Sequence, residues 1–348
     1  MKIGVALSGG KDSSLAAALL LREGNEVVGY HLLLCPEKYA LPPAEEQLAA
    51  VNNIARRLAI KLEVIDARKE FSRVVIGDFL KAYRRGRTPN PCVLCNRDFK
   101  FGLLLRRALR DGCEKVASGH YARVGEGKRY SLKKGVDPER DETYFLFQLS
   151  RQLLRHLLFP LGEREQTENR KLAEELLPGA AFLPPTREAC FLARVGPRRF
   201  LEEKFPSPPG AGDIIDKNGK KLGRHPGYQY YTIGQRKGLS SASGKKGPLF
   251  VTEIIPGKNQ VMAGSKEDLL SSSITASRTN WISLPGLSGP LSVRAKIRYT
   301  HSSAEATVTP LSGSRVAVEF ARPQEAVTPG QAVVFYQDDL LLGGAWID

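Results

Sequence analysis

The chain has 348 residues, 42% hydrophobic and 26% charged, and 52 Lys and Arg against 37 Asp and Glu leave a formal net charge of +15. That length predicts two or three domains. The composition excludes a disordered or fibrous chain, and the basic excess favours a polyanionic partner such as nucleic acid through counterion release.

No apolar run reaches the roughly 18 residues that a membrane-spanning helix needs. The opening MKIGVALSGG lacks a signal-peptide pattern. Both observations predict a cytoplasmic protein with no membrane partner.

In chain order, KIGVAL (2–7) reads as a buried strand and KDSSLAAALLLREG (11–24) as a helix ending at Gly24. EVVGYHLLL (26–34) is a second strand, AEEQLAAVNNIARRLA (44–59) a helix and KLEVID (61–66) a strand. EFSRVVIGDFLKAYRRG (70–86) and FKFGLLLRRALRDG (99–112) are helices, and KVASGH (115–120) is a strand. Alternation of this kind predicts an α/β domain with a doubly wound parallel sheet, whose ligands bind beyond the carboxyl ends of the strands.

From about 150 to 200 the pattern turns helical and basic. Short alternating strands follow, with turns at Lys217-Asn218-Gly219 and Pro256-Gly257. SVRAKIRYT, EATVTPL, RVAVEF and AVVFYQDDLLLGGAWI predict a small β-barrel. The expected domains are an α/β domain over 1–203 that includes the basic helical segment, a small central β domain over 204–272, and a C-terminal β-barrel over 273–348.

VALSGGKDSS follows the first strand and opens the first helix. Ser8, Gly9, Gly10, Ser13 and Ser14 can offer backbone N–H groups and hydroxyls to phosphate at a helix N-terminus. It is not a Walker A loop, because Lys11 is followed by Asp12. The S-G-G-x-D-S pattern resembles the PP-loop of the ATP pyrophosphatase superfamily. That resemblance implies ATP, cleavage between the α and β phosphates, adenylation of a substrate oxygen, and Mg²⁺ held with pyrophosphate by Asp12.

Two of five cysteines form the Cys-x-x-Cys of TPNPCVLCNRDFKFG (88–102). The five are not spaced as a secreted disulfide framework, so metal, an iron–sulfur cluster or redox chemistry are its possible uses. Cys35 and Cys113 read as ordinary buried residues.

These blocks, with ASGHYAR, DETYFLFQL, TREACFLARVGPRRF, HPGYQYYTIGQRKGL and PQEAVTPGQAVVFY, resemble the tRNA-specific 2-thiouridylases from Gly4 to Ile347. The resemblance implies ATP-dependent replacement of O2 by sulfur in a wobble uridine of tRNA, releasing AMP and pyrophosphate. By motif, Ala6, Leu7, Ser8, Gly9, Gly10, Lys11, Asp12 and Ser13 match the ATP loop, and Leu32 and Gly119 match further ATP contacts. Asn90, Pro91 and Cys92 match the triplet facing the target base, with His120 on the tRNA side. Arg140, Asp141, Glu142, Arg298, Tyr299 and Gln331 match tRNA contacts. Cys95 and Cys190 match the catalytic pair, Cys190 bearing a persulfide.

Cys92 stands where many members carry Asp, which adds a third thiol. Two routes follow. In one, a persulfide on Cys190 is resolved by Cys95. In the other, Cys92, Cys95 and Cys190 hold a [4Fe–4S] cluster. Zinc would need a fourth closed ligand. The sulfur donor is expected to be a cysteine desulfurase or persulfide carrier, or inorganic sulfide.

Arg87, Arg97, Arg194, Arg198 and Arg199 are candidate phosphate contacts, with Arg236 and Lys237 as weaker ones. The competing functions are a PP-loop amide or amine ligase, for which no ammonia-producing domain is visible, and a non-catalytic RNA-binding protein.

Overall fold

The structure is a computed structural model that describes residues 1–127, 129–185, 188–205, 209–239 and 247–348. Thr186 and Arg187 of the TREAC block lie outside the described residues.

Strands β1 (Lys2–Ala6), β2 (Glu26–Leu33), β3 (Lys61–Asp66), β4 (Lys115–Ala117) and β7 (Leu157–Leu158) form a parallel sheet in the order β3-β2-β1-β4-β7. The apolar centre of β1 is buried, as expected of a strand covered by helices on both faces. The order reverses between β1 and β4, so a crevice opens at their carboxyl ends. Helix α1 (Lys11–Arg22) starts there and α2 (Ala44–Arg57) crosses back to β3.

A long helical arm joins β3 to β4. It comprises α3 (Arg68–Phe71), α4 (Gly77–Arg84), α5 (Pro91–Cys95) and α6 (Leu105–Arg110), with π-helical turns over Ser72–Ile76 and Asn96–Leu104. The second π-helical run puts Phe99, Phe101 and Leu104 into the core and leaves Lys100 half-buried.

Two features lack a signal in the sequence reading. The 150–200 segment contains α7 (Arg151–Leu154), α8 (Gln166–Leu176) and the start of α9 (Gly196–Lys204), but β7 interrupts it as the fifth strand of the sheet. Strands β5 (Ala122–Gly125) and β6 (Ser131–Lys134) form a hairpin whose β6 pairs with the last strand of the chain.

The central strands β8 (Gly212–Ile215), β9 (Lys221–His225), β10 (Phe250–Ile255) and β11 (Gln260–Gly264) form a second sheet with its own apolar cluster. Strands β12 (Leu270–Trp281), β13 (Leu291–Lys296), β14 (Ala304–Pro310), β15 (Val316–Glu325), β16 (Ala332–Gln337) and β17 (Leu340–Ile347) close into a barrel through the β12–β17 pairing.

Candidate active site

The loop after β1 is built from its own hydroxyls. Ser8 Oγ and Ser13 Oγ lie 3.0 Å apart, the Ser8 N–H donates to Ser13 Oγ at 3.1 Å, and Ser14 Oγ donates to the Gly10 carbonyl at 2.9 Å. Gly9 adopts φ +81°, where a side chain would be strained and would meet Leu183. No side chain caps α1, so its first N–H groups face the crevice without a capping partner. The Leu183 N–H donates to the Gly9 carbonyl at 2.9 Å, which lays the 182–185 segment across the loop. His31 Nδ1 and the Leu7 carbonyl, 2.9 Å apart, fix the loop's entry; burial lowers the His31 pKa, so the neutral ring donates.

Gly119, just past β4, touches the start of α1. A Cβ there would stand 2.7 Å from both Asp12 C and Ser13 N. Glycine is therefore required where β4 and α1 meet. Burial raises the Asp12 carboxyl, while the charges of Arg140 and Lys11 oppose the shift.

The thiols lie on the other side of this crevice. Pro91 starts α5, where its missing N–H is harmless, and one helical turn carries Cys92 and Cys95. Burial pushes the Cys92 thiol up to about 11 and Cys95 up to about 12; Lys100 opposes both shifts and Cys190 adds to both. Cys190 is held by its neighbour Phe191, which is wholly buried edge-on against Phe79 at 5.1 Å and Phe71 at 6.0 Å. Its thiol is raised well above the usual cysteine range, first by a hydrogen bond with Cys35, then by burial.

Two residues connect the halves. Glu142 Oε2 accepts the Tyr121 N–H at 3.1 Å, and burial raises its carboxyl against the pull of that bond and of Lys100. Lys100 Nζ is 3.4 Å from His120 Nε2, and Ser118 Oγ is 2.8 Å from His120 Nδ1. Lysine can only donate, so Nε2 accepts and Nδ1–H donates to Ser118. Burial, then Lys100, holds the His120 pKa well below its usual value, which keeps the ring neutral. Lys100, Tyr121 and Ser118 were not singled out from sequence, and only their neighbourhood to Cys95 and His120 pointed to them.

The structure thus gathers Asp12, Glu142, Lys100, His120, Cys92, Cys95 and Cys190 around one crevice. Asn90 is buried beside it, near Tyr144, whose hydroxyl donates to the Ala332 carbonyl at 3.0 Å. Leu32 lies near the carboxyl end of β2, paired with Ile65.

Other expected contact residues are engaged within the protein. The Arg298 guanidinium donates to the Ile233 carbonyl at 3.1 Å, the Ala326 carbonyl at 2.9 Å and Thr328 Oγ1, which ties the central domain to the barrel. Asp141 is buried and accepts Thr143 Oγ1–H at 2.7 Å. Tyr299 packs on Phe145 at 4.6 Å. Gln331 Nε2 donates to the carbonyls of Thr88 and Pro89, bracing from the barrel the loop that leads into Asn90. Arg140 is exposed at the crevice edge. Arg97 pairs with Asp98, Arg198 with Glu202 and Arg199 with Glu203, while Arg194, Arg236 and Lys237 are exposed.

Among the described residues no three His, Cys, Asp or Glu groups are arranged to hold a metal ion, and no helix is long and apolar enough to cross a membrane. Cys92, Cys95 and Cys190 nevertheless offer thiol donors of the kind an iron–sulfur cluster takes.

Three family profiles cover the chain: a tRNA methyl transferase HUP domain over residues 1–194, a tRNA methyl transferase PRC-barrel domain over 198–265, and an aminomethyltransferase beta-barrel domain over 271–347. A tRNA-specific 2-thiouridylase MnmA of Carboxydothermus hydrogenoformans is 42% identical, with 100% of this chain and 97% of the relative covered. The enzyme of that name from Geobacter metallireducens is 40% identical, covering 100% and 96%. A solved U34-tRNA thiolase NcsA from Methanococcus maripaludis with its [4Fe-4S] cluster matches 60% of this chain and 67% of its own at 18% identity and a TM-score of 0.36, too distant to bear on this site. Full-length identity of this order, over a chain whose glycine loop and cysteines meet in one crevice, shows that the protein belongs to the tRNA-specific 2-thiouridylase family.

Proposed function

We propose that this protein thiolates tRNA: with ATP it activates O2 of a wobble uridine as the adenylate and replaces it with sulfur, giving 2-thiouridine, AMP and pyrophosphate. The observation that carries this reading is the meeting of the Leu7–Ser13 loop with Cys92, Cys95 and Cys190 across Glu142 and Lys100. An amide ligase would need the first half only, and a non-catalytic RNA binder neither.

The uncapped start of α1 and the Ser8 and Ser13 hydroxyls receive phosphate oxygens, with Ala6, Leu32 and Gly119 lining the nucleotide. Asp12 holds Mg²⁺ with the departing pyrophosphate. Adenylation turns O2 into a leaving group, and sulfur bound at Cys190 attacks C2. The resemblance assigns release of the product to Cys95. Asn90, Pro91 and Cys92 face the base, His120 lies beside it, and Arg140 with the exposed arginines meets tRNA phosphates.

On this route the sulfur donor is a persulfide-bearing protein, since sulfide cannot form a persulfide on a thiol without an oxidant; inorganic sulfide suits only the cluster reading. A second reading rests on the donor set: Cys92, Cys95 and Cys190 would hold a [4Fe–4S] cluster, which supplies an open iron to carry sulfide. Anaerobic preparation with iron and sulfide quantified separates the two.

The function is tested with ATP, Mg²⁺, tRNA and a persulfide donor, followed by nucleoside analysis. Wild type should form 2-thiouridine. Asp12→Ala should lose ATP–pyrophosphate exchange and thiolation while still binding tRNA, since a lost metal contact at the transition state costs several kcal/mol. Full thiolation by Asp12→Ala would remove the assignment of the loop.

A further inference from the structure

The HPGYQYYTIGQRKGL stretch of the central domain has no part in the chemistry above, yet its turn Tyr228–Tyr230 reaches out of that domain. The Tyr228 hydroxyl donates to the Arg84 carbonyl at 2.7 Å. Arg84 is the last residue of α4, where a carbonyl has no partner within the helix. Tyr228, itself buried, therefore caps α4 from another domain. Residues 85–90 then lead straight into α5, which carries Cys92 and Cys95. The start of that loop lies close against the central domain: Gly86 adopts φ +65°, and a Cβ there would stand 2.8 Å from Pro256 and 2.9 Å from Ile254. Its end is held by the barrel through Pro329 and Gln331. The same turn meets the segment that follows Cys190. Tyr230 packs on the apolar cluster that holds Tyr83 of α4 with Phe200 and Leu201 of α9. The Arg198 guanidinium lies over the Tyr230 ring at 5.6 Å, and the Arg84 guanidinium lies over Phe205, which follows α9, at 5.2 Å. One turn of the central domain thus touches the footings of both thiol-bearing segments.

We propose that Tyr228 is a positioning residue for sulfur transfer: its hydroxyl fixes the end of α4, and with it the depth at which α5 presents Cys92 and Cys95 to the target base. This rests on the thiolation reading above and deepens it, since it gives the central domain a role at the thiols. The nucleotide half of the site is carried by β1 and α1, so it does not depend on this bond. Loss of the hydroxyl leaves the ring in place and the Arg84 carbonyl without its partner. The last turn of α4 then frays, and the loop that seats α5 loses its first anchor. A reacting group displaced by a fraction of an ångström slows the chemical step far more than it weakens binding.

The test compares Tyr228→Phe, which removes the hydroxyl and keeps the ring, with Tyr231→Phe. The Tyr231 hydroxyl donates to the Gly238 carbonyl at 3.1 Å and stays within the central domain, so it controls for a lost hydroxyl there. Thiolation is followed with ATP, Mg²⁺, tRNA and a persulfide donor, and ATP binding by titration. In Tyr228→Phe kcat should fall about tenfold, while KM for tRNA and Kd for ATP stay within about twofold of wild type. In Tyr231→Phe all three should match wild type. A second readout needs no turnover. Pulses of iodoacetamide on the free enzyme, resolved by peptide mass, should label Cys92 and Cys95 several times faster in Tyr228→Phe than in wild type, with the buried Cys113 unchanged. Wild-type kcat in Tyr228→Phe, an equal fall in Tyr231→Phe, a matching loss of ATP binding, unchanged labelling of Cys92 and Cys95, or equal acceleration at Cys113 would each overturn the proposal. Absence of 2-thiouridine from the wild type would instead count against the thiolation reading, and the labelling would still report whether Tyr228 seats α5.

Discussion

Lys100 is the residue on which the chemistry of the thiols turns. It opposes the burial shift at Cys92, Cys95 and Cys190, and its amine also faces His120. The thiolate is the reactive form of cysteine. With Cys92 at about 11 and Cys95 at about 12, alkylation of both by iodoacetamide should keep rising through pH 10. Free cysteine levels off near its ordinary value of about 8.5. The folded protein keeps these protons where the unfolded chain has lost them. Their contribution to stability is therefore complete below the ordinary thiol range and is lost as pH rises towards about 11 and 12. Lys100→Met removes the neighbour that lowers both thiols and should cut their labelling at pH 9 by up to about tenfold, the equivalent of one pKa unit. Peptide-resolved mass spectrometry reads this, and unchanged or faster labelling would show that Lys100 does not tune the thiols.

At the scale of elements, the π-helical run Asn96–Leu104 directs Lys100 and follows directly on Cys95. In this geometry a Cβ on Gly102 would come within 2.7 Å of the Arg97 carbonyl, a contact that real side chains do not make. Gly102→Ala should force the run to shift, at about 1–3 kcal/mol of stability. Because the glycine loop lies on another element, ATP–pyrophosphate exchange should survive while thiolation falls; equal loss of both would assign Gly102 to general stability. The sequence showed that a glycine follows Phe101 but not that the helix widens there, since apolar spacing over so few residues fits either geometry. The same limit hid β7, which is only two residues long, and the β5–β6 hairpin, whose strands carry Arg123, Lys133 and Lys134 and no Asn-Gly turn. The glycine loop and Cys-x-x-Cys were legible because their chemistry lies in adjacent residues. The Cys35–Cys190 contact was not, because only the tertiary approach of the Cys190 segment to the end of β2 creates it.

Across the whole molecule, the barrel and the α/β domain share a core rather than meeting at a surface. Ile282, Val334, Tyr336, Leu341 and Trp346 of the C-terminal region belong to the same apolar cluster as Phe71, Phe99 and Leu132. Phe147 packs against Trp346 at 5.5 Å, and Asn280 Nδ2 donates to the carbonyls of Phe147 and Leu149 at 2.7 and 2.9 Å. The β6–β17 pairing carries the sheet of the barrel into the α/β domain. The braces from Gln331 and from the Pro329 carbonyl, which accepts the Thr88 N–H at 2.9 Å, reach the loop before Asn90. Removing the barrel would therefore strip core as well as any surface it offers to RNA, so a truncated chain cannot report RNA affinity alone. The expectation is that both domains unfold together in urea. The two tryptophans, Trp281 and Trp346, both lie in the barrel and report on it by fluorescence. Cys113 is buried beside β4, where its thiol meets the Tyr30 hydroxyl at 3.7 Å, and its labelling reports opening of the α/β domain. Brief labelling pulses in reductant at each urea concentration, resolved by peptide mass, should give a Cys113 midpoint that coincides with the tryptophan midpoint. If tryptophan fluorescence changes at a clearly lower urea concentration than Cys113 labelling, the barrel is an independent unit and the shared cluster does not couple the two.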